Sequence, residues 1–211
     1  MLVLGFDPGG LKRFGWCVAE PTLHGKLKLL DCGVADHATR AVEAALKATD
    51  DPARIVAAGI DSPLFWVPND SRQADKTIRE KLKGLGAESP GGTVQEVNSL
   101  RGACLAQGIM TAHLLGKSVP AVRITESHPE ALLWLLKVAT KDRRPTKVKM
   151  SHLRAFVTCE SEELSEHERD AALGAFAAWA MVTEQAGWRD LFQDEDKPFV
   201  PVPPIEYWMP I

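Results

Sequence analysis

Four acids stand where chemistry is expected. Asp7 ends the apolar run Leu2–Phe6 and precedes Pro8, Gly9 and Gly10. Asp61 ends a second run, Ile55–Ile60, and Glu126 ends a third, Val119–Glu126, before Ser127, His128 and Pro129. Asp170 lies just ahead of Ala171–Val182, which is apolar nearly all round. Open α/β sheets place their sites beyond the carboxyl ends of strands, so Asp7, Asp61 and Glu126 are expected to meet at one edge. Carboxylates gathered there repel one another unless a cation neutralises them. Oxygen ligands suit Mg²⁺ or Mn²⁺, and two such ions can activate water and stabilise the leaving oxygen of a phosphodiester. Asp7, Asp61, Glu126 and Asp170 are therefore the candidate catalytic residues and metal ligands. An Asp before Pro is also an ordinary turn opener. The recurrence of the pattern favours chemistry.

Other residues are placed to assist. His128 neighbours Glu126, while Glu166 and His167 share a helical face with Asp170; these three are partners of the acids or alternative ligands. Phe65 and Trp66, in the Pro63–Pro68 stretch just after Asp61, either stack on a base or sugar or cap the core. On the following helix Arg72, Asp75 and Arg79 share one side. The arginines either clamp a phosphate or form ion pairs on a solvated face. Lys12, in the turn after Asp7, is a further candidate phosphate contact. Lys141, Arg143, Arg144, Lys147 and Lys149 make the one basic block, which either meets a phosphate backbone or is a charged interhelix loop.

The elements that must position these groups can be read in order. Leu2–Phe6, Phe14–Ala19 and Leu27–Val34 read as an antiparallel meander, and His37–Ala48 as a crossover helix leading into the strand that ends at Asp61. Asn69–Gly84 and Leu100–Leu115 read as helices, with a glycine-rich loop over Gly84–Gly92 between them. Val119–Glu126 is the fifth strand. Ser127 with Glu130, and Ser165 with Glu168, carry the spacing of capping boxes, and Met150–Val157 reads as a short helix. Five prolines between Pro198 and Pro210 argue against a regular helix in the tail, where Tyr207 and Trp208 either tie the tail to the body or make a dimer contact.

The chain of 211 residues is long enough for one α/β domain, and 45% apolar composition excludes a disordered chain. A net charge of −3 provides no overall basic field for nonspecific nucleic-acid binding. The four cysteines form no CxxC pair, which excludes zinc ribbons and thioredoxin-like chemistry. Free thiols, the lack of a leader pattern and the lack of a membrane-length apolar window place the protein in the cytoplasm, away from membranes.

These residues carry a resemblance. Gly5-x-Asp7-Pro8-Gly9 with Gly15-Trp16 resembles the opening of Holliday-junction resolvases, and the order of strands and acids resembles the ribonuclease H-like superfamily. More closely, the sequence resembles a family of uncharacterised proteins described as predicted nucleases of that fold. That pattern is matched by Asp7, Ile60-Asp61-Ser62-Pro63-Leu64, Arg72-x-x-Asp75-x-x-x-Arg79, Glu126-x-x-Pro129-Glu130 and Asp170-Ala171. The resemblance implies a five-stranded mixed sheet, its first three strands antiparallel, flanked by helices. It also implies a domain over 1–187 with a tail over 188–211 packed on it. In it Asp7 bridges two Mg²⁺ or Mn²⁺ ions while Asp61 and Asp170 each bind one, the substrate is nucleic acid, and a homodimer is expected by analogy. His167 stands where a resolvase carries another ligand, and Glu126 lies on a strand that does not usually supply one. Two other readings share the acids: a nucleotide-binding or phosphotransfer protein related to actin-like kinases, and a nonenzymatic metal-binding protein.

Overall fold

The computed structural model describes residues 1–67, 72–95, 102–160, 164–202 and 204–211. The chain begins as read. Strands β1 (Leu2–Asp7), β2 (Phe14–Pro21) and β3 (Leu27–Ala35) form an antiparallel meander, followed by helix α1 (Ala38–Lys47) and strand β4 (Ile55–Ile60). Helices α2 (Gln73–Gly84), α3 (Pro90–Thr93) and α4 (Gly102–Ser118) come next. The expected helical starts at Asn69 and Leu100 lie outside the described residues. α3 interrupts the stretch expected to be loop: Pro90 supplies the fixed φ that suits a first helical turn.

Strand β5 is confined to Arg123–Glu126 and is followed by helix α5 (Pro129–Leu135). The expected Ser127 capping box is absent. His128 holds the cap position without a side-chain bond, and the Ser127 amide instead donates to the Ile60 carbonyl at 2.8 Å, prolonging the strand pairing. The other box forms: Ser165 Oγ accepts from the Glu168 amide and Glu168 reaches back to Ser165, starting helix α6 (Glu166–Val182). Between α5 and α6 the expected short helix is a 3-10 turn over Met150–Leu153, and the chain then enters strand β6 (Val157–Thr158). In the tail, strands β7 (Trp188–Asp190), β8 (Ile205–Glu206) and β9 (Trp208–Pro210) form, with β9 antiparallel to β7.

Among the described residues the main sheet holds seven strands in the order β6-β3-β2-β1-β4-β5-β8. This corrects the expected five. The two additions, β6 and β8, are edge strands of two residues each, too short to show any alternation. The inner order, with three antiparallel strands followed by parallel β4 and β5, is an α/β arrangement that matches the ribonuclease H-like architecture.

α6 lies across one face of the sheet and packs on β1, β2, β4 and β5; α1 and α4 pack on each other and on the sheet's other side. The approach of α6 depends on missing side chains. A Cβ on Gly5 would fall on the Ala171 carbonyl oxygen, and one on Gly15 would fall on that of His167. Both glycines therefore act by close approach, lowering the start of α6 onto the end of β1. No helix among the described residues is long and apolar enough to cross a membrane.

Candidate metal centre

Parallel pairing brings the strand-end acids together. Phe6 is in register with Ile60, and Ile60 with Glu126, while the Asp61 amide donates to the Phe6 carbonyl at 2.9 Å. Strand alternation then divides them. Gly5, Gly59 and Thr125 share a register row, and Gly5 faces α6. Asp7 and Asp61 lie two residues beyond Gly5 and Gly59, so they keep to that side. Glu126 is level with Ile60 and points to the other side, where α2 brings Arg72.

On the α6 side, Asp7, Asp61 and Asp170 lie within one another's electrostatic reach. Asp61 feels the charges of Asp7, Asp170, Glu126 and Glu130, and burial with these neighbours raises its carboxyl well above the ordinary range. Burial also raises Asp7, against the opposing effect of His167. His167 Nδ1 lies 2.6 Å from Asp7 Oδ2, and this bond raises the imidazole in turn. Asp170 is pushed up to about 7 by burial, although Arg169 opposes the shift. Arg169 Nε donates to Asp170 Oδ1 at 2.8 Å, and Nη2 lies 2.7 Å from the same oxygen. Glu166 is exposed, 3.6 Å from Arg169 Nη2.

On the other side the charges are paired. Arg72 is 1% exposed. Its Nη1 and Nη2 donate to the two Glu126 oxygens at 2.8 and 2.6 Å, and its Nε and Nη2 reach the two Asp75 oxygens at 2.9 and 2.8 Å. The Leu64 amide adds a bond to Glu126 Oε2 at 2.9 Å. Burial would raise the Glu126 carboxyl, but Arg72 and His128 outweigh it and the carboxyl sits below its ordinary value. The guanidinium also lies over the Phe65 ring, 4.4 Å from its centroid, and 5.6 Å from the centroid of Tyr207. Tyr207 is buried, and burial together with Glu126 and Asp75 raises its phenol well above the ordinary range.

His128 links the two sides, with Nε2 at 3.3 Å from Glu126 Oε1 and Nδ1 at 3.8 Å from Asp61 Oδ1. Asp75, Glu126 and His128 each offer a ligand atom within 4.8 Å of the others, which is spacing suited to a metal. Asp7, Asp61 and Asp170 share a face and a field without closing to that spacing. At the Asp75 group, however, a cation must coexist with Arg72, which already faces every oxygen of both acids.

The structure places the expected substrate contacts as follows. Arg72 is not available to a phosphate, since all three guanidinium nitrogens are committed to buried carboxylates. Phe65 is not an open stacking surface: it is 3% exposed and meets Phe192 edge-on at 4.9 Å. Arg79 donates to the Val94 carbonyl at 3.2 Å, just past α3. Trp66 is 41% exposed and pairs through its backbone with Phe199. Lys12 lies in the exposed β1–β2 turn, where its amide donates to Asp36 at 3.2 Å. The sequence reading missed Arg169, for which an Arg directly before the candidate acid was the available signal. Tyr207, expected to tie the tail to the body or make a dimer contact, packs against Phe65 and Arg72.

A family model matches residues 5–197. The chain belongs to that family, described as "Protein of unknown function (DUF429)". Comparison with curated proteins returns no match. Among solved structures, one of Thermus thermophilus RuvC is similar at 17% identity and TM-score 0.49, over 87% of this chain and 97% of that one. T. thermophilus RuvC in complex with Holliday junction substrate gives 16% and 0.45, over 83% and 91%. The yeast mitochondrial Holliday junction resolvase Ydc2 gives 14% and 0.35, over 82% and 75%. These three TM-scores are below one-half, and functional weight falls on the site itself.

Proposed function

We propose that this protein is a metal-dependent nuclease that hydrolyses phosphodiester bonds of DNA or RNA, with Asp7, Asp61 and Asp170 as its metal ligands. The observation that carries this reading is the gathering of three carboxylates on one sheet face, offset among the described residues by Arg169 beside Asp170, His167 beside Asp7 and the more distant His128, 3.8 Å from Asp61. Burial raises all three, so the protein alone leaves them under-compensated, and a hard divalent cation with oxygen preference fits the donor set. By the sequence resemblance to resolvases, Asp7 would be shared by two Mg²⁺ or Mn²⁺ ions, with Asp61 and Asp170 each holding one. Bound there, such ions supply an activated water and charge stabilisation for the departing oxygen.

The protein's own groups have separate tasks. His167 fixes the orientation of Asp7 through Nδ1, as partners of ligating carboxylates do. Arg169 holds Asp170 in place. The Arg72–Glu126–His128 chain supports Asp61 from behind, and Glu126 is available to a cation only together with Arg72. Of the two aromatic candidates, Trp66 is the one exposed enough to meet a base.

The reading is tested by incubating wild type and Asp61→Asn with single-stranded, duplex and branched oligonucleotides in Mg²⁺ or Mn²⁺. Cleavage by wild type that disappears with chelator and in Asp61→Asn is the expected result. Nucleotide binding without strand cleavage would contradict it and favour phosphotransfer.

A further inference from the structure

A basic segment lies against the carboxylate face without having been used by it. Lys141, Arg143, Arg144, Lys147 and Lys149 are exposed, and with Asp142 they leave a local charge of +4 (five cations less one acid) in a chain whose total is −3. Sequence alone leaves such a block as an ordinary interhelix loop. The structure ties it to the site. Arg169, which holds Asp170 through Nε, donates through Nη1 to the carbonyls of Pro145 at 3.2 Å and Val148 at 3.0 Å. One buried guanidinium thus fixes the candidate metal ligand and the basic loop in a single arrangement.

Under the loop is a cavity of about 260 Å³, its wall including Ser89, Thr93, Glu130, Lys141 and Arg144. Lys141 lies across Gly86, where a Cβ would fall on its Cε, so its stem follows the cavity wall. Arg144 pairs with Glu88 at 2.8 Å, but both side chains are largely exposed, and such a pair yields readily to a phosphate, which an Arg fork engages with two bonds. Glu130, in that wall, lies near enough for its charge to bear on Asp61.

We propose that the 141–149 loop and the cavity beneath it form a phosphate-binding subsite, with Lys141 and Arg144 as its contacts, that carries a nucleic-acid strand past the Asp7–Asp61–Asp170 face. This rests on the nuclease reading and adds to it the path of the strand. A polyanion held at this position sets the neighbouring phosphodiester over the carboxylates, so the subsite acts on binding and leaves the metal ligands untouched.

The test measures binding of a fluorescein-labelled single-stranded oligonucleotide by anisotropy across a salt series, with Mg²⁺ present and Asp7→Asn as the background to prevent cleavage. Adding Lys141→Ala/Arg144→Ala should weaken binding at least about 10-fold. It should also flatten the slope of log affinity against log salt by about 1.4, the loss of two single-strand phosphate contacts at roughly 0.7 each. Lys47→Glu, at an exposed position of α1, should leave both unchanged, and Mn²⁺ binding by the double variant with Asp7 restored should match wild type. Unchanged affinity and slope in the double variant would overturn the subsite, while oligonucleotide cleavage by wild type would leave the nuclease reading intact. Competition by polyglutamate as effective as that by unlabelled oligonucleotide would overturn it in favour of an acidic protein partner. An Asp7→Asn background that shows no oligonucleotide binding overturns it as well, and only a parallel loss of wild-type cleavage would take the nuclease reading down with it.

Discussion

The two faces of the sheet treat the same kind of residue in opposite ways. On one, Glu126 and Asp75 are buried completely, yet a single arginine meets all four of their oxygens. On the other, Asp7, Asp61 and Asp170 are less enclosed and less compensated, and their carboxyls rise. A carboxylate with its counter-charge built into the chain belongs to the fold's own electrostatics. Carboxylates left short of counter-charge are poised for a cation from outside. Position at a strand end does not separate these cases; the neighbouring helix does, through Arg72 at the N-terminal cap of α2 and Asp170 on α6.

The largest effect should come from breaking the compensated side. Arg72→Met leaves Glu126 and Asp75 buried without their cation, and removing one partner of such a pair costs about 3–5 kcal/mol. Urea unfolding should show that loss; a variant within 1 kcal/mol of wild type, roughly the worth of an exposed pair, would erase the contrast between the faces.

The open side should reveal itself through pH. A carboxyl raised in the folded state binds its proton more tightly there than in the unfolded chain, so its contribution to stability is full at low pH and declines as pH rises. For Asp170 the window runs from the ordinary 3.8 to about 7, with a slope of at most about 1.4 kcal/mol per pH unit. Relative to Asp170→Asn, the metal-free wild type should lose stability across that window, and saturating Mn²⁺ should suppress the loss. A difference curve that rises with pH would show that Asp170 is compensated after all.

A smaller effect is expected at His167. Partners of metal-ligating groups typically contribute 10-fold or more to affinity, so His167→Ala should weaken Mn²⁺ binding by about 10-fold with little change in thermal stability. Smallest of all should be Tyr207→Phe. The Tyr207 hydroxyl is buried with no hydrogen-bond partner among the described residues, so removing it should shift stability by no more than about 0.5 kcal/mol. A large loss would mean that the hydroxyl supports His128 or Arg72 directly.

Much of this arrangement was legible before the fold. The runs ending at Asp7, Asp61 and Glu126 became parallel neighbours with a common edge, because apolar strands closed by turn residues leave little ambiguity. What the sequence did not reveal was the division between faces. It follows from register, Ile60 opposite Glu126 and Gly59 opposite Thr125, and register is settled by pairing across residues far apart in the chain. For the same reason Arg72 read either as a phosphate clamp or as one half of an ion pair on a solvated face: helix spacing showed Asp75 beside it, and nothing local announced Glu126. β6 and β8 were invisible because two-residue edge strands carry no period. Ser165–Glu168 formed the capping box while Ser127–Glu130 did not, since Ser127 was already engaged by Ile60.

The most direct test of the account is calorimetric titration of Mn²⁺ into Asp7→Asn and Asp75→Asn, one acid from each face, beside wild type. The account predicts saturable binding by wild type, its loss in Asp7→Asn and its retention in Asp75→Asn. Binding that survives in Asp7→Asn and vanishes in a folded Asp75→Asn would place the metal with Asp75, Glu126 and His128 and contradict the assignment of the open face.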